Sequence, residues 1–175
     1  MEVLNFDDLR REATVEMKPS GYLPFAEHPG PQDNLILSPS YIIPVDILER
    51  GIIHPTRLIR QVVIVDGFDG RTMLLDMEKL MPDTDSEVNN THKEYLELKI
   101  SGTLAAEIAR SEAVPPDCRG WKKALKNSRV LVSTDEIKLV WRIYSVSDGK
   151  VIDTFTGNVI ESAGLLGMLF SQAKN

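Results

Sequence analysis

The sequence IKLVWRIYSVSDGKVIDTF, residues 137–155, predicts a β-hairpin and with it the fold class. Apolar side chains recur at every second position, the period of a strand with one buried face: Ile137, Leu139, Trp141 and Ile143. Lys138 and Arg142 alternate with them and are expected to face water. The turn Ser147-Asp148-Gly149 then leads into a returning strand at residues 150–155.

Further strands are predicted on the N-terminal side of this hairpin. Residues 56–65 are rich in β-branched side chains and lead through a glycine-containing turn at residues 66–70 into residues 71–77, a second predicted hairpin. Residues 35–37 and 41–48 are short apolar runs broken by prolines. Because proline cannot donate a ladder hydrogen bond, both runs are expected to be edge strands.

One more strand and four helices complete the prediction. Leu96, Leu98 and Ile100 alternate with polar residues and predict a strand. Helical spacing of apolar residues occurs in four segments: residues 6–17, 104–109, 117–127 and 162–173. The second of these follows the candidate N-caps Ser101 and Thr103 and ends before Pro115-Pro116, although it could also continue the preceding strand.

These elements predict an α+β fold, a mostly antiparallel sheet of about five or six strands with helices packed on one face. Residues 1–34 are expected to form an N-terminal helix and a proline-rich arm, and residues 35–175 a single α+β domain. Six of the ten prolines lie between residues 19 and 44, so residues 18–34 are expected to be extended. Tyr22 and Phe25 of this arm either stand in solvent or pack back onto the domain, and packing is expected.

Composition restricts the class of protein. A chain of 175 residues that is 42% hydrophobic can form one domain without disulfides, and its single cysteine, Cys118, fits a reducing compartment. The net charge of −6 argues against a surface that binds nucleic acid throughout. The acidic N-terminus does not resemble a secretory signal, and the longest apolar runs are too short to span a bilayer. We therefore expect an intracellular protein, cytoplasmic or peripheral to a membrane, that is not secreted.

No sequence motif indicates catalysis. The histidines, His28, His54 and His92, are far apart, and neither a zinc-binding spacing nor a phosphate-binding glycine loop occurs. No serine or cysteine has the flanking sequence of a known nucleophile. We therefore expect no metal, no cofactor and no enzymatic activity, although residues scattered along the chain could still converge in space.

The strongest functional signal is a basic segment. Five positive charges fall within eleven residues without an intervening acid: Arg119, Lys122, Lys123, Lys126 and Arg129. On a helix, four of them would share one face beside an apolar stripe that includes Trp121. Such a helix could dock on phosphates of a nucleic acid, on an anionic membrane surface or on an acidic protein patch. The alternative is a solvated helix face whose long side chains cover apolar surface.

Two other segments indicate association with a protein partner or with a second copy. Residues 76–97 hold seven acidic residues and two lysines, so the chain has opposite charge poles that could pair between copies. The predicted C-terminal helix has an apolar stripe that packs on its own domain, on a partner or into a lipid interface. Its members are Leu165, Leu166, Leu169, Phe170 and Ala173.

These observations predict a non-enzymatic, self-associating assembly or structural protein that docks an anionic partner through the basic helix at residues 119–129. Its layout, an arm, a compact domain and a basic surface, is similar to that of small viral matrix proteins, which implies a virion-associated role; the similarity covers no motif. The alternative is a ligand-binding or regulatory module in which the sheet and the helix around Trp121 enclose a small apolar pocket.

Overall fold

The structure, a computed structural model, describes residues 17–24, 34–51, 55–76, 80, 92–114, 126–147 and 150–160. These residues form eight β-strands and one α-helix, with a short 3-10 turn at Thr134–Glu136. The strands are β1 Asn34–Gly51, β2 Arg57–Asp66, β3 Thr72–Asp76, β4 Lys93–Tyr95, β5 Lys126–Val132, β6 Lys138–Ser147, β7 Lys150–Asp153 and β8 Val159–Ile160. The helix, α1, comprises Gly102–Glu112.

The long strand β1 organises the whole sheet because it has two partners along each edge. On one edge it pairs with β4 in parallel and then with β2 antiparallel. On the other edge it pairs antiparallel with β6 and then with β5. The remaining strands extend the sheet outward in the order β3-β2-β1-β6-β7-β8. The result is a curled half-barrel.

The predicted α+β class is therefore wrong. The mostly antiparallel sheet is present, but it has eight strands in the described residues instead of five or six, and a single described helix packs on it. Of the helix predicted at residues 117–127, only Lys126 and Asn127 are described, and they begin strand β5. The other two predicted helices, residues 6–17 and 162–173, fall almost entirely outside the described residues.

The prolines of β1 explain why two predicted edge strands are one central strand. In a strand, the N–H and C=O of one residue point toward the same edge. The carbonyl of Pro39 accepts from Gly67 N, between the ends of β2 and β4, and that of Pro44 accepts from Ser133 N, between β5 and β6. Each proline thus places its missing donor at a seam between two partner strands, where no ladder hydrogen bond is lost.

Both predicted hairpins are confirmed. β2 and β3 pair antiparallel around the turn that follows Asp66, and β6 pairs antiparallel with β7. In the first turn Gly70 adopts φ 78°, a conformation that favours glycine, and its N–H donates to the carbonyl of Asp66. Ile137 and Trp141 are partly buried and Lys138 is exposed, as expected. Arg142, in contrast, is buried.

Helix α1 covers one face of the sheet and gives the domain its main core. Its predicted N-cap is confirmed, since Ser101 Oγ accepts from Leu104 N at 3.3 Å. Alanines of α1 allow close approach to the odd-numbered side chains of β1, and Tyr41 donates to the carbonyl of Ile100 at 2.8 Å. The cluster comprises Tyr41, Ile43, Val45, Ile47, Val63, Val65, Ala105, Ala109, Ala113 and Leu139.

Residues 96–100 and the described part of the N-terminal arm are not regular strands, but both donate backbone hydrogen bonds to neighbouring parts of the sheet. The strand predicted from Leu96, Leu98 and Ile100 is wrong, because pairing with β1 ends at Tyr95. The backbone N–H groups of the residues that follow donate to individual carbonyls and form no strand ladder. In the arm, Ser20 N and Leu23 N donate to carbonyls of β6. Tyr22 packs against the sheet as expected, and Phe25 lies outside the described residues.

Candidate functional site

The predicted basic segment is only partly described. Lys126 and Arg129 lie in strand β5, so they do not belong to a helix face, and that part of the prediction is wrong. The remaining predicted residues lie outside the described residues: Arg119, Trp121, Lys122, Lys123, Leu165, Leu166, Leu169 and Phe170. Arg129 is exposed, and its strand register identifies its neighbours.

Arg129 faces away from α1, on a surface where three strands bring basic and apolar side chains together. One row across the sheet is Leu58, Leu48 and Arg129, and the next is Arg60, Asp46 and Leu131. Arg50 lies two positions beyond Leu48 on the same face of β1. We call these seven residues the basic strand face.

The charge of this face is positive and solvent-accessible. Arg60 pairs with Asp46 at 3.3 Å, with side chains 67% and 32% exposed. An ion pair so exposed contributes about 0–1 kcal/mol. Arg50 and Arg129 are exposed as well. Three arginines therefore accompany one aspartate, and the face carries positive charge on a protein whose net charge is −6.

Leucines surround these charges. Leu58 is 52% exposed and Leu131 is 47% exposed, whereas the residues beside them in sequence, Ile59, Val130 and Val132, pack against the core under α1. Farther along the same side of the sheet, Leu23, Leu80 and Phe155 pack over Ile42 and its neighbours. The basic strand face is thus the end of this side that those residues leave accessible.

A second group of polar residues lies buried on the same side of β1, between β2 and β6. Asp66, 1% exposed, accepts hydrogen bonds from Ser38 Oγ at 2.9 Å, Tyr144 Oη at 3.1 Å and Phe68 N at 2.9 Å. Burial raises the pKa of the Tyr144 hydroxyl, which keeps it protonated as a donor to Asp66.

Arg142 and Asp153 form the other half of this buried group. Arg142 Nη2 lies 2.5 Å from Asp153 Oδ2 and Arg142 Nε lies 3.3 Å from Oδ1, a bidentate pair. Burial acts to lower the pKa of Arg142, but the hydrogen bond to Asp153 and the electrostatic effects of Tyr144 and the carboxylates raise it more. Asp153 also accepts from Phe155 N and Thr156 Oγ1.

These titratable groups converge, yet their geometry fits a structural role. Their hydrogen bonds go to one another and to the turns that follow β2 and β7, and Ser38, Asp66, Arg142, Tyr144 and Asp153 are all buried. The buried group, Ser38–Asp66–Tyr144 with Arg142–Asp153, thereby ties both turns to the centre of the sheet. Its small serine positions on β1 provide the room for these side chains.

The pKa of Asp66 predicts a pH dependence of stability. Burial raises this pKa above its ordinary 3.8, and the charge of Asp69 adds to the effect. Because the folded protein holds this proton more tightly than the unfolded chain, stability falls as the pH rises from 3.8 through the folded-state pKa. We expect the stability of the natural protein relative to Asp66→Asn to decline between about pH 4 and about pH 7. Urea unfolding at both pH values measures this difference, and parallel pH profiles would contradict it.

An apolar groove lies on the α1 side of the sheet, against the central strands β1 and β6. Its volume is about 270 Å³, and it is lined by Met17, Lys18, Pro19, Pro39, Leu96, Leu98 and Trp141. Tyr95 contacts the ring of Trp141 edge to face, with centroids 5.2 Å apart. Ligand pockets usually have volumes of about 300–1,000 Å³, so this groove gives only limited room for a small molecule.

The described ranges hold neither a metal-binding cluster nor a membrane-spanning helix. Within them, no three His, Cys, Asp or Glu side chains come together in a group that could hold a metal ion. Among the helices of the described residues, none has the length and apolar character needed to cross a bilayer.

Comparison with known proteins gives no relative from which to assign a role. No family model matches the chain, and no curated protein and no solved structure matches it.

Sequence reasoning missed most residues of these two groups. Arg50 and Arg60 are isolated charges in the sequence, and only the pairing of β1 with β2 and β5 places them near Arg129. For the buried group a signal did exist. Ser38 and Arg142 are polar residues within otherwise apolar strands, and such positions indicate either a solvent face or a buried hydrogen-bonded group.

Proposed function

We propose that this protein is a non-enzymatic assembly or structural protein that docks an anionic partner through the basic strand face. The observation that supports the proposal is the convergence of Arg50, Arg60 and Arg129 on adjacent strands with one aspartate among them. Arginine binds phosphate and carboxylate groups in a bidentate way, and several exposed arginines on one face add their attraction.

A second copy of the chain is a poor partner for this face. Two such faces in contact would bring three arginines against three arginines, with a single Asp46 from each copy to offset them. Like charges across an interface cost free energy. Self-association would therefore use other surfaces than the basic strand face.

The proposal predicts that Arg50→Gln/Arg129→Gln weakens binding to a polyanion about tenfold or more at low salt. Each arginine near an anionic surface contributes about 1 kcal/mol, and this pair of substitutions leaves the Arg60–Asp46 ion pair intact. Retention on immobilised heparin over a salt gradient measures the effect, because heparin tests for anion binding without assuming a partner.

The matched control is Arg110→Gln/Lys150→Gln, which removes two exposed positive charges from α1 and β7. Its net charge equals that of the test variant, so it separates the location of the charges from their number. Equal elution of both variants, or no retention of the natural protein at low salt, would refute the proposed function.

A small ligand in the apolar groove is the second candidate. The contact between the exposed ring of Tyr95 and the partly buried ring of Trp141 favours it, and the limited volume of the groove opposes it. The basic strand face is preferred because its charges and exposed leucines both lie open to a partner.

A further inference from the structure

We infer that the anionic partner of the basic strand face is a phospholipid surface, which the protein meets with its arginines on headgroups and its leucines between them. This inference rests on the proposed function and makes the partner specific. It is supported by the positions of the leucines, whereas the proposed function rests on the arginines alone.

Along each of the three strands of the face, leucines alternate with charged residues. Leu58 and Leu48 precede Arg129 in one row, and Leu131 follows Arg60 and Asp46 in the next. Leu58 and Leu131 are each about half exposed, at 52% and 47%. The pattern is that of an interfacial membrane surface, in which apolar side chains enter the headgroup region beside basic residues.

A nucleic acid would make little use of this composition. Proteins that bind single strands add aromatic rings on which bases stack, and those that read duplexes add polar side chains that reach base edges. The basic strand face provides arginines and leucines, with Asp46 and without an aromatic ring. Exposed leucine gains nothing from a phosphate backbone, whereas it leaves water when it enters a bilayer interface.

The expected contributions are large enough to measure. An arginine at an anionic bilayer strengthens binding by about fivefold. Transfer of the half-exposed part of Leu58 or Leu131 into the interface gives about another fivefold for each. Loss of both leucines should therefore weaken binding by about 25-fold, while attraction to a soluble polyanion stays as it was.

The test is sedimentation with vesicles of phosphatidylcholine, with and without phosphatidylserine, compared with heparin retention. Leu58→Ser/Leu131→Ser is expected to bind phosphatidylserine vesicles about 25-fold less tightly and to elute from heparin like the natural protein. The natural protein should bind vesicles only when phosphatidylserine is present.

The matched control is Leu74→Ser/Leu104→Ser, which changes two leucines that are 41% and 51% exposed on β3 and α1. It should bind vesicles like the natural protein, and circular dichroism checks that both variants fold. Retention on heparin without binding to vesicles would overturn the lipid inference and leave the proposed function standing. Equal vesicle binding by the two leucine variants would also overturn it. Failure to bind heparin and vesicles alike would overturn both.

Discussion

Arg142→Met is expected to lower the free energy of unfolding by about 3–5 kcal/mol. The guanidinium is paired with Asp153, and the two side chains are only 8% and 3% exposed. Removal of the cation leaves a buried carboxylate without its charge partner, and the turn after β7 that this carboxylate holds loses its anchor. Urea unfolding followed by circular dichroism measures the change.

Two further variants make this prediction specific. Asp153→Leu should also be strongly destabilising, and the double variant Arg142→Met/Asp153→Leu should lose less than the sum of the two, because no charge is then left unpaired. Arg110→Met is the exposed control, since Arg110 pairs with Glu107 at the surface of α1 and its loss should cost about 0–1 kcal/mol. A loss below about 1 kcal/mol for Arg142→Met would show that the buried pair does not hold the sheet together.

Gly67→Ala is expected to destabilise the protein by about 3 kcal/mol, from overpacking and weakened hydrogen bonds. A Cβ at this position would lie 2.6 Å from Leu98 Cδ1 and 2.7 Å from the carbonyl oxygen of Pro39. The leucine can move, but the carbonyl belongs to the backbone of β1. Relief requires the turn to withdraw, which stretches the bond from Gly67 N to Pro39 O and those from Lys99 N and Ile100 N to Gly67 O.

Gly102→Ala is the control for this substitution. A Cβ there meets only Tyr41 Cε1, at the ordinary contact distance of 3.7 Å, and Gly102 begins α1, where alanine is the better helix former. Its stability should stay unchanged or rise by up to about 1 kcal/mol. Thermal unfolding of the two variants side by side distinguishes a close approach at Gly67 from a general effect of glycine replacement. Equal melting temperatures would contradict the expectation for Gly67.

The parts of the fold that sequence reasoning predicted are those set by neighbours in the chain. β6 has side chains of alternating character, β2 is rich in β-branched residues, and in both hairpins the sequence between the two strands contains glycine. The cap of α1 at Ser101 is likewise local. Each of these depends on about ten to twenty consecutive residues, a span within which hydrophobic period and turn chemistry act directly.

The errors concern pairings between distant segments. Pro39 and Pro44 predicted edge strands because proline lacks the donor that a partner strand needs. In the structure each missing donor lies at a seam between two partner strands, and these seams are formed by four other strands. Arg142 was expected to face water because it alternates with the apolar Trp141 and Ile143. The alternation is correct, but both faces of β6 are covered, so Arg142 is buried. Period identifies which side chains share a face and says nothing about what covers it.

The candidate site was predictable in kind but not in position. The high density of positive charge at residues 119–129 predicted an anion-binding segment there, and one of its residues, Arg129, belongs to the basic strand face. Arg50 and Arg60 reach it through strand register, which a single sequence does not reveal. An anionic partner remains the proposal. The basic residues of this segment that the structure describes lie on a β-strand and not on the expected helix.

The position of β1 also has a consequence during synthesis. β2, its partner on one edge, follows within a few residues, whereas Ile42 and its partner Lys138 on the other edge are separated by roughly a hundred positions, a distance that slows folding. At about 5–20 residues per second, a ribosome needs about 5–20 s to make the chain between them. Throughout that interval a newly made β1 has one edge able to pair with any strand nearby, so crowding of nascent chains would favour aggregation before completion of the sheet.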